Sequence, residues 1–326
     1  MTISSNPPSI IKPRRLAPGQ MIGVITPASP PKEPEGVRFA IDIVQSLGLK
    51  VKPAPHLFDR YGYLAGDDAT RAEDLNGFFI DQEVDAIFCV RGGYGAARLL
   101  PLLDYQAIRA NPKILLGYSD ITSLLLSITH KTGLVTFHGP IAGQIFSPYT
   151  LAEFKKVLFA PRPPMPLGAA PPFEAGEGRV DRANRVMTLV PGKVQGRLLG
   201  GNLSLVTHLI GTPYLPDLAG SILFLEDVGE AVYDIDRMLT QLWLSGCLDK
   251  VAGIVFGKFT EPRPSEWAQN RLQEEVLAER VRALGIPAVM GLMIGHVEDQ
   301  TTIPLGCMAE LDAGAGTLTL LEAPVQ

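Results

Sequence analysis

Apolar positions along the chain follow two rhythms. Short branched runs such as "MIGVI", "DAIFCV" and "KILLG" are the pattern of parallel strands covered on both faces. Between them, "GVRFAIDIVQSLG", "ATRAEDLNGFFI" and "ITSLLLSITHK" repeat apolar residues at helical spacing. The first half alternates these two kinds of segment, which predicts βαβ units and a parallel sheet with helices on both faces. In such sheets ligands meet the carboxyl ends of the strands, and the loops predicted there are "TPASP", "VRGGYG", "GYSD" and "FHGP".

Periodicity fails at "APRPPMPLGAAPPFEAGEG", where Pro and Gly crowd together, as in a linker or crossover between domains. The predicted division is a first domain over residues 1–160, a linker over 161–185 and a second domain over 186–326. The second part opens with strand signals in "RVMTLVPGKVQGRLLGG" and a helix at "NLSLVTHLIG" capped by Asn202. A strand "SILFLED", a helix "AVYDIDRMLTQLWLSG" and a strand "VAGIVFGKF" follow, then a charged helix over about 265–284. The closing "CMAELDAGAGTLTLLEA" reads as a hairpin over its Gly turn.

Composition narrows the function classes. With 326 residues, 46% hydrophobic and 19% charged, the chain suits a compact fold with a large core. A net charge of −5 provides no basic footprint, so nucleic acid is not an expected partner. "MTISSNPPSIIKPRRLAPGQ" has no apolar core of signal-peptide length, and no run elsewhere could span a bilayer. A cytoplasmic protein without a membrane partner is therefore expected. Cys89, Cys247 and Cys307 are odd in number and widely spaced, as free buried thiols in a reducing compartment would be.

The break between strand and helix in "KILLGYSDITSLLLSITHK" concentrates the chemistry. Ser119 stands at a sharp strand-to-helix corner, the geometry of a nucleophile elbow, although Ile121 occupies the second Gly position of G-x-S-x-G. The alternative is a helix cap made by Ser119 or Asp120. The Gly-rich "CVRGGYGAARLL" fits neither phosphate-loop pattern, but its N–H groups suit an oxyanion or a carboxylate. Arg91, at a strand end beside those glycines, is the candidate cation for a substrate carboxylate, with Asp120 as its alternative structural partner.

Of five histidines, His138 and His296 each end a branched apolar run next to Gly, where a base can be held rigidly at a cleft. His56 lies in a polar loop, His130 closes a helix, and His208 reads as a packing residue. "SILFLEDVGE" puts Glu226 and Asp227 at the end of a buried strand, as helix caps or as working carboxylates. His296, Glu298 and Asp299 lack an established zinc spacing, so no metal is expected. The order Ser119, Glu226, His296 matches hydrolase triads on α/β scaffolds, provided the second half folds back over the first.

Together the motifs "IGVITPASP", "VRGGYGAARLL", "LLGYSDITSLLL", "TFHGP", "GRLLGGNLSLVTHLIGTPY", "ILFLEDVGEAVYDIDRMLTQL" and "GIPAVMGLMIGHVEDQTTIPLG" resemble the LD-carboxypeptidases, the muramoyl-tetrapeptide carboxypeptidase family of serine peptidases. The resemblance covers nearly the whole chain. It implies a flavodoxin-like N-terminal domain, a smaller β-rich C-terminal domain and a homodimer. It also implies cytosolic recycling of murein peptides by cleaving terminal D-alanine from meso-diaminopimelate, with no cofactor. The family triad maps onto Ser119, Glu226 and His296. Asp120 and either Gly92 or Gly93 would supply oxyanion N–H groups, and Arg91 and Asn202 are the candidate substrate contacts. Microcin-immunity peptidases of the same superfamily cleave a peptidyl-nucleotide toxin and use an aromatic loop residue, for which the linker offers only Phe173. A non-catalytic small-ligand-binding protein would make the triad a coincidence. A nucleotide-dependent oxidoreductase would need a better phosphate loop.

Overall fold

The computed structural model describes residues 8–174, 176–181, 183–264 and 271–326. Its strands are β1 (Met21–Ile25), β2 (Lys50–Pro53), β3 (Ala86–Cys89), β4 (Ile114–Gly117), β5 (Thr136–His138), β6 (Met165–Leu167), β7 (Met187–Val190), β8 (Lys193–Asn202), β9 (Ile222–Val228), β10 (Gly253–Thr260), β11 (Ala288–Met290), β12 (Ile303–Leu305), β13 (Met308–Asp312) and β14 (Thr317–Leu320). The α-helices are α1 (Glu35–Ser46), α2 (Asp68–Ile80), α3 (Tyr105–Ala110), α4 (Thr122–Thr132), α5 (Pro148–Leu158), α6 (Leu203–His208), α7 (Val232–Leu244) and α8 (Gln273–Leu284).

The first sheet runs β12-β5-β4-β3-β1-β2, parallel except for β12. Its parallel part has the order 2-1-3-4-5 of flavodoxin-like folds. Residues of β3 and β4 are buried throughout, which explains their lack of polar alternation. The sequence also writes the helix limits. Asp67 accepts the Thr70 N–H at 2.8 Å to start α2, and Ser147 caps α5 with Pro148 in its first turn. Gly133, at φ 76°, ends α4 with its N–H donated to Thr129.

The second sheet runs β6-β14-β13-β8-β9-β10-β11-β7. Strands β8 to β11 are parallel, linked through α6, α7 and α8, and the outer strands are antiparallel. The C-terminal half is thus α/β at its centre and β-rich at its flanks.

The sequence division and the spatial one differ. β6 falls within 161–185, where composition suggested a linker or crossover and no strand. It is an edge strand, the one sheet position that tolerates Pro166. β12 leaves the C-terminal half to pair with β5, Ile303 opposite His138. α4 lies between the halves: every residue from Thr122 to Thr129 is buried, and the helix contacts β5, β8, β12 and α6. Each fully buried Leu or Ile there contributes about 1.5–3 kcal/mol relative to exposure, so the closure of the second half onto the first is a core contact.

Three local expectations change. The segment after the Gly-rich loop is a 3₁₀ helix, Ala96–Leu102, entered through Gly95 at φ 114° and containing Pro101, which has no N–H for an α-helical ladder. His208 ends the short α6 exposed, because α6 stops before its pattern buries another turn. Cys89 and Cys307 are buried free thiols, whereas Cys247 is only partly buried. The charged helix begins at Gln273, and residues 265–270 of its expected span lie outside the described residues.

Candidate active site

Ser119 follows β4 and opens a short 3₁₀ turn, Ser119–Ile121, that runs into α4. Its φ of 64° lies in the left-handed region, where a non-glycine residue costs about 1–3 kcal/mol and persists only if its surroundings enforce it. The enforcing contacts are tight. A Cβ on Gly92 would stand 2.9 Å from Ser119 Cβ, 3.1 Å from its Oγ and 3.2 Å from the Asp120 nitrogen. Only glycine lets the "VRGGYG" loop approach the corner so closely. Neither the Gly92 nor the Gly93 N–H donates to a protein acceptor among the described residues. The Asp120 N–H lies in the first turn, where helix donors lack upstream partners.

The second sheet delivers the candidate acid. β8 and β9 pair in parallel with Asn202 opposite Glu226. The Asn202 N–H donates to Thr122 Oγ1 at 3.1 Å, which ties the end of β8 to the first residue of α4. The two carboxylates of "FLED" then separate, as successive strand residues must. Asp227 accepts from the Ser204 N–H at 2.9 Å and from the Asn202 amide at 2.8 Å. Glu226, fully buried, turns to His296, whose Nδ1 lies 2.7 Å from Glu226 Oε2. Gly295, at φ 115°, makes room for that carboxylate, since a Cβ there would fall 2.6 Å from Oε2.

His296 keeps 19% of its side chain exposed and packs edge-on against Tyr118 at 4.7 Å between ring centroids. Burial lowers its affinity for a proton, but the hydrogen bond and charge of Glu226 outweigh this and raise its pKa above the ordinary 6.5. Burial pushes Glu226 upward, and the bond to His296 opposes the rise. With Nδ1 donating to the carboxylate, Nε2 carries the lone pair a base requires. The Ser119 hydroxyl has no hydrogen-bond partner among the described residues, as is common before a substrate closes such a pair.

The other candidates separate by burial. His138 is fully buried, neither ring nitrogen is hydrogen-bonded, and it packs between Tyr118 and Phe224. Burial, then the neighbouring His296, push its pKa down to about 3, so it stays neutral and shielded. Arg91 donates to the Pro30 carbonyl at 2.9 Å and has no ion pair among the described residues. Its alternative partner Asp120 instead accepts the Ala96 N–H at 2.7 Å. Asn202 is 3% exposed and also caps α6 at Leu205, and its amide serves the Glu226 carboxylate as well as that of Asp227. His296, Glu298 and Asp299 do not converge: Asp299 accepts the Ser147 hydroxyl at 2.6 Å while His296 faces Glu226. Sequence reasoning passed over Tyr118, although it sits inside the quoted corner, and Arg71, which reads as a surface residue of a polar helix.

Residues 22–139 match the LD-carboxypeptidase N-terminal domain, and residues 195–311 match the LD-carboxypeptidase C-terminal domain. The chain belongs to the LD-carboxypeptidase family. It is thereby an enzyme of the serine-carboxypeptidase class. A probable murein peptide carboxypeptidase of Bacillus subtilis is 39% identical over 319 residues, covering 96% of this chain and 95% of the relative. A murein tetrapeptide carboxypeptidase of Pseudomonas aeruginosa is 37% identical over 262 residues, covering 79% and 82%. Among solved structures, a substituted microcin C7 self-immunity protein MccF bound to adenosine monophosphate superposes with a TM-score of 0.85 at 29% identity, covering 97% of this chain and 100% of that one. No helix among the described residues of this LD-carboxypeptidase is long and apolar enough to cross a membrane.

The raised His296 pKa sets a pH dependence. As the candidate base, His296 would have to be neutral to accept a proton, so kcat/KM should fall as pH drops through a pKa above 6.5. In Glu226→Gln, which loses the carboxylate charge, the acid limb should move to lower pH while the plateau falls. A pH profile of both proteins checks this, and a wild-type limb at or below 6.5 contradicts it.

Proposed function

We propose that this protein is a murein tetrapeptide carboxypeptidase, hydrolysing the amide between the L-centre of meso-diaminopimelate and a terminal D-alanine during peptidoglycan recycling. The observation that carries the reading is the Glu226–His296 pair, closed to 2.7 Å, with His296 packed on Tyr118, whose chain neighbour Ser119 is held at φ 64°. His296 Nε2 takes the Ser119 proton as Oγ attacks the amide carbon, and the carbonyl oxygen becomes an oxyanion facing the N–H groups of Asp120 and Gly92 or Gly93. Collapse breaks the C–N bond, and His296 returns the proton to the amine of D-alanine. Water then hydrolyses the ester on Ser119 by the same base, with Glu226 holding the imidazole in its working tautomer. The names of the Bacillus and Pseudomonas relatives support the substrate class. The family resemblance adds a cytoplasmic homodimer, which light scattering on the purified protein tests.

An exopeptidase must read the chain end, and Arg91 is the proposed cation, with Asn202 as the second proposed contact to the peptide. An amidated D-alanine terminus should therefore cut kcat/KM at least about tenfold, because losing a buried charge partner costs about 2–5 kcal/mol. Comparing acid and amide substrates on wild type and Arg91→Ala checks this. Equal efficiency on both discards carboxylate recognition, whereas an acid preference that survives in the variant discards only Arg91.

The second reading is microcin-immunity-type cleavage of a peptidyl-nucleotide, favoured by the superposition on MccF. Phe173, 44% exposed, is the aromatic residue available in the segment between the halves. Turnover of an aminoacyl sulfamoyl nucleoside in preference to the tetrapeptide would favour that reading.

A further inference from the structure

The two sources of the proposed oxyanion N–H groups lie on different elements: Asp120 on the elbow, and Gly92 or Gly93 on the loop after β3. Their spacing depends on how that loop is held. The loop is fixed at four points close in sequence. Ser29 donates its N–H to the Gly92 carbonyl at 3.3 Å, and its Oγ accepts the Tyr94 N–H at 3.1 Å. Arg71 Nη1 donates to the Gly95 carbonyl at 3.0 Å and to the Pro27 carbonyl at 2.6 Å. Asp120 Oδ2 accepts the Ala96 N–H at 2.7 Å.

Two of these clamps are ionisable and deeply buried, Arg71 at 2% exposure and Asp120 at 3%. A buried guanidinium or carboxylate is costly unless paired and hydrogen-bonded. Arg71 is anchored by Asp68 at 2.5 Å, which Arg98 also grips, and by the Asp67 carbonyl at 3.3 Å. Its remaining donors go to two loops at the carboxyl end of the sheet, where the core has little to gain. Burial pushes the Asp120 carboxyl upward, opposed by the Ala96 N–H and by the charge of Arg71.

Resting on the serine-peptidase reading above, we propose that Asp120 and Arg71 are positioning residues that set the oxyanion site. Asp120 contributes at both ends: its N–H is one donor, and its side chain fixes the loop carrying the other. Arg71 locks the same loop from behind through Gly95. The loop is thereby held in place before substrate arrives, as preorganised stabilisation of a developing charge requires.

The test is a comparison of Asp120→Ala, Asp120→Asn and Ser29→Ala with wild type. It measures kcat, KM, thermal midpoint and the rate of labelling by a fluorophosphonate, whose tetrahedral adduct occupies the same site. Asp120→Ala should lose kcat by about 10- to 100-fold with KM within about threefold, because a misplaced donor weakens the transition state more than the bound substrate. Asp120→Asn, whose amide oxygen can still accept from Ala96, should recover to within about tenfold of wild type. Ser29→Ala, which removes the acceptor of the Tyr94 N–H and the 3.5 Å donation to the Tyr94 carbonyl, should shift kcat in the same direction by less, and it carries the test if Asp120→Ala does not fold. Labelling rates should fall in step with kcat. The inference is overturned if wild type is labelled and active while the Ala variants keep its kcat, or if Asp120→Asn is as impaired as Asp120→Ala. If wild type is neither labelled nor active, the functional reading fails first.

Discussion

Ser119→Ala should leave a folded protein whose turnover on a D-alanine-terminated tetrapeptide falls about 10³-fold or more, the scale of loss when a triad member is removed. Removing the Oγ takes away no hydrogen bond among the described residues, so the thermal midpoint should hardly move. His296→Ala should be as damaging, and the double variant no worse than either, because nucleophile and base act as one unit. His138→Ala is the informative contrast. That ring is fully buried between Tyr118 and Phe224, so its removal should lower the thermal midpoint more than it lowers turnover. Steady-state kinetics and thermal unfolding on the four variants check this. Severe loss of turnover at His138 with tolerance at His296 would reverse the assignment of the base.

Gly92→Ala is the second change with a large expected effect, and it removes no functional group. Gly92 is not among the residues with positive φ, so alanine is permitted by the backbone. The added methyl would nevertheless meet Ser119 Cβ at 2.9 Å and the Asp120 nitrogen at 3.2 Å, filling the space between the nucleophile and the proposed oxyanion donors. Turnover should fall about 10²- to 10³-fold, the loss typical of a removed oxyanion donor, with the fold retained. Circular dichroism and kcat measured together decide the point. A well-folded Gly92→Ala protein within tenfold of wild-type turnover, a margin far below that typical loss, would place the oxyanion elsewhere.

Much of this candidate site was legible in the sequence because its parts are interruptions of strong patterns. Ser119 breaks the run between β4 and α4, Glu226 follows the apolar stretch 222–225 inside β9, and the parallel rhythm puts both toward carboxyl strand ends. What periodicity could not carry was which half covers which residue. His138 and His296 have the same local signature, an apolar run ending beside Gly. They differ because β12 and Phe224 seal the first, while the second stays partly exposed at the seam. The same limit hid the return of β12 to the first sheet, since a short run such as Ile303–Leu305 fits either sheet until its partner is known. Arg71 was illegible for a related reason: its burial depends on carbonyls of two distant loops, at Pro27 and Gly95, and carbonyl acceptors leave no mark in a sequence.

Ser119 is proposed to make this protein a carboxypeptidase of D-alanine-terminated murein peptides. Its most direct test is incubation of the purified protein and its Ser119→Ala variant with a murein tetrapeptide, followed by mass spectrometry. Wild type should convert the tetrapeptide to the tripeptide and free D-alanine, while the variant should leave it intact. An intact tetrapeptide with wild type, or equal cleavage by both proteins, would contradict it.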